Sequence, residues 1–227
     1  MATRWIISGK TKNMIKIIPS ILAITEEEFV RLLKIIEPHT DRIHLDIGDG
    51  DFVPTKTISG YEQLIKIETK TKFDVHLMVS RPEDQMYFWY KTKADRFLIH
   101  AETDHGHKNL INQIHSNDRK VGMVLNPETQ VEKIVEVIEG VDFVQFMTVR
   151  PGFYGSEFVE SVIEKILEFH GQYPNVPIMV DGGVNPQTIL RLIAIGVTEL
   201  VVGNYIVSSD DVGKTIEELN KISNNNE

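Results

Sequence analysis

The sequence predicts an α/β fold of the (β/α)8 type, a TIM barrel built on an eight-stranded parallel barrel. Three observations predict it. Short runs rich in β-branched residues alternate with longer charged segments, and the runs begin roughly every 25 residues. Several runs are almost continuously apolar, such as VGMVL (Val121–Leu125) and ELVVG (Glu199–Gly203), the pattern of strands buried on both faces. No Ser-, Gly- or Pro-rich linker divides the 227 residues, an ordinary length for one such barrel. The rival is an open doubly wound sheet. It would usually carry a glycine-rich turn after its first strand, where this chain has Pro19-Ser20-Ile21-Leu22.

In order, the expected strands are Lys16–Ser20, Arg42–Asp46, Phe73–Leu77, Arg96–His100, Lys120–Leu125, Phe143–Met147, Pro177–Asp181 and Glu199–Gly203. Helix starts are expected between them. Thr25–Glu28, Ser80–Glu83 and Thr129–Glu132 have the capping-box spacing, in which a hydroxyl and a Glu satisfy each other's orphan N–H groups. Asn185-Pro186 places a capping side chain before a proline at the first helical position. The helix FVRLLKII should stop before Pro38. Residues 1–13 precede a fresh apolar run beginning at Met14 and are set apart as an extension, leaving 14–227 as one barrel domain.

Composition narrows the function. The absence of cysteine excludes a disulfide scaffold, a thiolate nucleophile and a Cys-based zinc site, so any metal must be held by His and carboxylates. A formal charge of −9 argues against nucleic acid as a partner. It leaves room for a small anionic substrate bound by backbone N–H groups. The longest stretch without a charged residue, Phe169–Val180, is broken by Gly171 and Pro174, too short and too interrupted to span a membrane. With no signal-peptide pattern at the start, a cytoplasmic location is expected.

In such a barrel the chemistry sits at the C-terminal ends of the strands, where Ser20, His44, Asp46, His76 and Asp181 are expected, with Asp49 just beyond. His44 and Asp46 are two apart on a strand and share a face. The apolar Ile43, Leu45 and Ile47 suit the helix-facing side, so His44 and Asp46 should point into the barrel, as should His76 and Asp181 by the same reasoning. Singly, each could be a satisfied core polar group. Together, four such residues in a dry interior are expensive unless they share an ion. Two imidazoles and two carboxylates suit one divalent ion: Zn, Fe(II), Mn or Co. His100 is a weaker candidate, either supporting that cluster or facing a loop, and His105 and His107 read as surface-loop residues. Glycine-rich segments follow the last three strands: Pro151–Gly155, Gly182-Gly183 and Gly203-Asn204. That is the side on which barrels bind phosphate.

The segments IIPSILA (Ile17–Ala23), IHLDIGDGDFVP (Ile43–Pro54), DVHLMV (Asp74–Val79), LNPET (Leu125–Thr129), MTVRPGFYG (Met147–Gly155) and VDGGVNP (Val180–Pro186) together resemble the ribulose-phosphate 3-epimerase family, over Lys16 to about Val207. The resemblance implies that His44, Asp46, His76 and Asp181 ligate one divalent metal and that Asp46 and Asp181 are also the acid/base pair. It implies substrate contacts from Ser20, His76, Met78, Met147 and Asp181, and from the phosphate-side loops through Gly152, Gly155, Gly182, Gly183 and Gly203. Phe153 and Asn204 in those loops join the expected contacts. A homo-oligomer, dimer or hexamer, is implied as well. The sequence departs from the family pattern at Gly48, where a methionine is usual, and at Asp51, Arg150, Tyr154 and Asn204. The resemblance implies interconversion of ribulose 5-phosphate and xylulose 5-phosphate. A glycine at 48 should widen the cavity and permit a longer sugar, which sets allulose 6-phosphate and fructose 6-phosphate as the alternative pair. Arg150 is a further candidate for the phosphate.

Two other classes are set against an epimerase. A non-catalytic sugar-phosphate sensor would not need the four-residue constellation. A Schiff-base lyase needs a lysine at an inward strand end, and no expected strand ends in one. Borohydride reduction in the presence of a ketose phosphate is therefore expected to leave every lysine unlabelled by mass spectrometry; a trapped lysine would restore the lyase.

Overall fold

The computed structural model describes residues 14–103, 106–153 and 155–224; the extension at 1–13, His105 and Tyr154 lie outside the described residues. Eight strands form the sheet: β1 (Lys16–Leu22), β2 (Arg42–Gly48), β3 (Lys72–Met78), β4 (Ala94–His100), β5 (Lys120–Leu125), β6 (Phe143–Met147), β7 (Ile178–Asp181) and β8 (Glu199–Val202). They are parallel, lie in chain order and close when β8 pairs with β1, from Lys16 opposite Glu199 to Pro19 opposite Val202. The fold is the (β/α)8 barrel the sequence predicts.

The outer layer comprises α1 (Glu26–Ile36), α2 (Tyr61–Lys66), α3 (Met86–Trp89), α4 (His107–Ser116), α5 (Val162–Gln172), α6 (Pro186–Ala194), α7 (Asn204–Val207) and α8 (Val212–Asn224). Two starts behave as their caps require. Thr25 accepts the Glu28 N–H at 3.2 Å, while the Glu28 carboxylate reaches back to the Ile24 N–H. Asn185 accepts from the Gln187 and Thr188 N–H groups ahead of Pro186. The helix before Pro38 stops at Ile36 and tightens into a 3-10 turn.

Two expected caps are overridden. The Ser80 hydroxyl is taken by Asp51 at 2.6 Å, and a 3-10 turn (Pro82–Gln85) follows without a side-chain cap. Thr129 does not start an α-helix either. Val131–Ile134 and Ile138–Gly140 are 3-10 turns, and they alone bridge β5 and β6. Here the backbone is held from outside: Lys165 Nζ of α5 donates to the carbonyls of Asn126, Pro127 and Thr129 at 2.8–2.9 Å.

Period-two alternation separates two cores. Ile43, Leu45, Ile47, Val75, Leu77 and Val180 face outward and pack with Phe29, Leu32 and Ile36 of α1 in the large core. Ile18, Leu98, Val124, Phe143, Met179 and Val201 form a separate cluster inside the barrel. The N-terminal end of the interior is ionic. Arg96 donates through Nε to Asp74 (2.6 Å) and through Nη1 to Glu199 (2.7 Å), and Arg42 joins through Asp74 and a two-pronged pair with Asp95 at 2.9 Å. The Arg96 guanidinium also lies 4.8 Å from the centre of the Phe143 ring.

Gly122 lets that ring fit. A Cβ there would sit 2.3 Å from Phe143 Cε2. Gly122→Ala is expected to cost about 1–3 kcal/mol of stability by overpacking, measured by denaturant unfolding; an unchanged midpoint would show that the ring can move aside.

Candidate metal centre and active site

Barrel register brings four inward side chains together. Asp46 of β2 lies opposite His76 of β3, and Asp181 of β7 is fed in from the far side. His76 Nδ1 is 2.9 Å from Asp46 Oδ1 and 3.5 Å from Asp181 Oδ2, and His44 Nε2 lies 3.6 and 3.8 Å from the same two oxygens. One donor atom from each of the four falls within 4.8 Å of the others. Both imidazoles are fully buried, and both ring nitrogens of His44 lack a hydrogen-bond partner. Buried polar atoms are costly without a partner. Two carboxylates beside two imidazoles form a site that wants positive charge. The donor set therefore fits a divalent ion, and this group could hold one. Asp49 does not join it. Its carboxylate accepts the N–H groups of Asp51, Phe52 and Ser80 at 2.7–2.8 Å and folds the loop after β2.

Burial and then the charge of Asp46 push Asp181 well above the usual carboxylate range, although a Gly182 N–H opposes them. Burial, with His76 and Arg96, keeps His44 neutral, well below its ordinary value.

Above the cluster opens a cavity of about 290 Å3. Of the expected contacts, Ser20, Met78, Met147, Gly152, Phe153, Gly155, Asp181, Gly182, Gly183, Gly203 and Asn204 all line it, as does Asp46. His76 does not; it lies beneath the floor. Gly182 has φ +108°, a left-handed conformation that leaves its N–H close to Asp181. Among the described residues no Lys, Arg or His lines the cavity. Arg150 is exposed and is not part of the lining, although its neighbour Pro151 is.

The family description "Ribulose-phosphate 3 epimerase family" matches residues 16–207. The ribulose-phosphate 3-epimerase of Bacillus subtilis is 37% identical over 214 residues, covering 91% of this chain and 98% of that protein. The chain belongs to the ribulose-phosphate 3-epimerase family. The cytoplasmic isoform of that enzyme from Oryza sativa is 34% identical, covering 91% of this chain and 93% of its own length. Among solved structures, 3-hexulose-6-phosphate synthase from Salmonella typhimurium superposes with a TM-score of 0.70 over 92% of this chain and 98% of its own, at 14% identity. That is a likeness of fold alone.

Gly48 departs from the family pattern without the expected consequence. A Cβ there would meet the Thr55 carbonyl oxygen at 2.4 Å and Val53 Cγ2 at 2.9 Å, and Gly48 does not line the cavity. The loop after β2 has taken the space. Val53 packs with Leu22 and Met78 in a small apolar cluster and approaches Gly152 across the mouth. The cavity is not widened there.

Sequence reasoning missed several residues. Ser156, Asn185, Tyr205 and Ser208 line the cavity. They sit in loops and a four-residue helix, where no periodicity marks direction. His107, expected on a surface loop, instead begins α4, and its Nε2 lies 3.1 Å from the His100 carbonyl oxygen. His100 is fully buried, with Nε2 2.9 Å from His76 Nε2 and Nδ1 3.0 Å from Glu102 Oε2. It supports the cluster rather than facing a loop. The His-x-Glu spacing at the end of β4 was the visible signal.

Burial would raise Glu102, but hydrogen bonds from His100, Thr129 and the Asn126 N–H outweigh it and hold it at about 2, against an ordinary 4.5. Burial brings His100 down from 6.5 to about 4, against the pull of Glu102. Both folded values lie below the ordinary ones. Each group thus contributes stability that is fully present above its ordinary value and lost as pH falls through the folded one. Unfolding free energy is expected to decline between pH 6.5 and 2 on their account. Glu102→Gln should flatten the part below 4.5, and denaturant titrations across pH would expose an unchanged slope.

Proposed function

We propose that this chain is a metal-dependent 3-epimerase of ketose phosphates, interconverting D-ribulose 5-phosphate and D-xylulose 5-phosphate. One observation carries the reading. Two nearly buried carboxylates, Asp46 and Asp181, come from opposite sides onto the floor of one small cavity, beside two imidazoles. Inverting a carbon needs one group to take its proton and another to return one on the opposite face, because a single base hands the proton back to the side it left.

Asp46 and Asp181 supply that pair. One carboxylate accepts the C3 proton while the other, protonated, delivers one on the opposite face. The electrons of the C3–H bond move toward C2, its carbonyl oxygen gains charge, and reprotonation at C3 restores the ketone. In the reverse direction the two exchange roles. One divalent ion (Zn, Fe(II), Mn or Co), bound by His44, Asp46, His76 and Asp181, would supply a Lewis acid for the charge developing on the sugar oxygens. Met78 and Met147 line the cavity and offer polarizable, apolar contact to a flattened C2–C3 unit.

The phosphate falls to the opposite half of the cavity. Gly183, Gly203, Asn204 and Ser156 line that half, where backbone N–H groups and a hydroxyl would meet it. No cationic side chain lines that half among the described residues. The loop after β2 fills the space above Gly48, so that glycine gives no reason to prefer the longer hexulose phosphate. A cytoplasmic homo-oligomer, dimer or hexamer, belongs to the same reading. The location is supported by the name of the rice relative, and the oligomer rests on the family resemblance.

Asp46→Asn and Asp181→Asn are each expected to slow exchange of the C3 proton with solvent by about 10²–10⁴-fold, followed by NMR in D2O; wild-type exchange in both would overturn the acid/base assignment. Chelation should remove activity and an added divalent ion restore it. Assayed on both sugars, the enzyme should prefer ribulose 5-phosphate, and a hundredfold preference for allulose 6-phosphate would reassign the substrate.

A further inference from the structure

The β4 end carries a chain of contacts that the epimerase chemistry does not itself use. Glu102 Oε1 accepts the Asn126 N–H at 2.9 Å, and Glu102 Oε2 faces His100 Nδ1 at 3.0 Å. His100 Nε2 then meets His76 Nε2 at 2.9 Å, and His76 Nδ1 meets Asp46 Oδ1 at 2.9 Å. The His76 and His100 rings lie within 18° of parallel with centroids 5.0 Å apart, so with nitrogens at 2.9 Å they meet edge to edge. Both rings are fully buried, and Phe52 lies against His100 with ring centroids 4.6 Å apart, so water does not compete for the contact.

Proton accounting along this chain gives one arrangement suited to a cation. A carboxylate only accepts, so His100 Nδ1 carries a hydrogen and donates it to Glu102. In a neutral His100, Nε2 is then a lone pair. It accepts from His76 Nε2–H, and His76 Nδ1 is left as a lone pair among the oxygens of Asp46 and Asp181. We propose that His100 and Glu102 are positioning residues which fix the tautomer and ring angle of His76, holding its Nδ1 lone pair ready for the divalent ion. The clamp reaches further out. Lys165 grips the carbonyls of Asn126, Pro127 and Thr129, so the segment that donates to Glu102 is itself held. A partner for the remote nitrogen of a metal-binding imidazole typically carries 10–100-fold in metal affinity.

This inference rests on the four-residue cluster being a metal site, not on the choice of sugar. The test measures Zn²⁺ affinity of the full-length chain by competition with a chelating dye, for the wild type, His100→Leu, His100→Gln and Glu102→Gln. Ring-nitrogen NMR of the Zn²⁺-loaded protein is recorded alongside. The wild type should show His76 with its proton on Nε2. His100→Leu should weaken Zn²⁺ binding about 10–100-fold. His100→Gln should recover most of that loss, because its amide can accept from His76 and donate to Glu102. Glu102→Gln should fall between them, and it keeps the test alive should His100→Leu fail to fold. Affinities within twofold of the wild type in the His100→Leu and Glu102→Gln proteins that fold, or a His76 proton on Nδ1, would overturn the relay. A wild type that binds no Zn²⁺ would overturn the metal reading as well, and that outcome is distinct from the first.

Discussion

The inside of a closed eight-stranded barrel holds no bulk water, so every charge a strand points inward must be met by another group. The two ends of this barrel meet that demand differently. At the N-terminal end Arg96 lies between Asp74 and Glu199, with Arg42, Asp95 and Lys16 completing the neutralisation. Acids and bases are matched, and the network is complete without a ligand. At the C-terminal end Asp46 and Asp181 meet two imidazoles, one of which has no hydrogen-bond partner at either nitrogen. That end lacks positive charge, and the deficit makes it a candidate metal centre and lifts Asp181 toward its protonated form.

The same constraint divides the cavity. Its floor is built from strand residues, Ser20, Asp46, Met147 and Asp181, whose directions are set by the pleat and the closure of the sheet. Its walls come from loops after β6, β7 and β8, where glycines allow backbone to approach a ligand closely. Rigid elements thus carry the paired carboxylates, while loops form the walls. With no cationic side chain in the lining among the described residues, a phosphate there would be met by dipoles. This is compatible with a chain whose formal charge is −9.

Much of this was legible in the residue order. The eight apolar runs were visible because parallel strands buried on both faces leave nearly unbroken β-branched stretches. The inward set of His44, Asp46, His76 and Asp181 was visible because a polar residue between apolar neighbours on such a strand has one affordable direction. Local caps were less reliable. Thr25 and Asn185 cap as their spacing requires, but Ser80 and Thr129 do not, since Asp51, Glu102 and Lys165, remote in sequence, claim those segments. Gly48 misled for a related reason. The absence of a side chain suggested space, and the chain's own Val53 and Thr55 fill it.

By itself the sequence determined the barrel, the strand order and which side chains face its axis, because a period of two and the run of apolar residues are local properties of the chain. Only the tertiary structure decided which inward groups meet. The approach of Asp181 to Asp46 depends on barrel closure, and the edge-to-edge contact of His76 with His100 depends on the register of β3 against β4. It also decided that Arg150 is left out of the cavity lining and that Val53 approaches Gly152 across the mouth. Loop paths follow from packing between residues far apart in the chain, and no local periodicity encodes them.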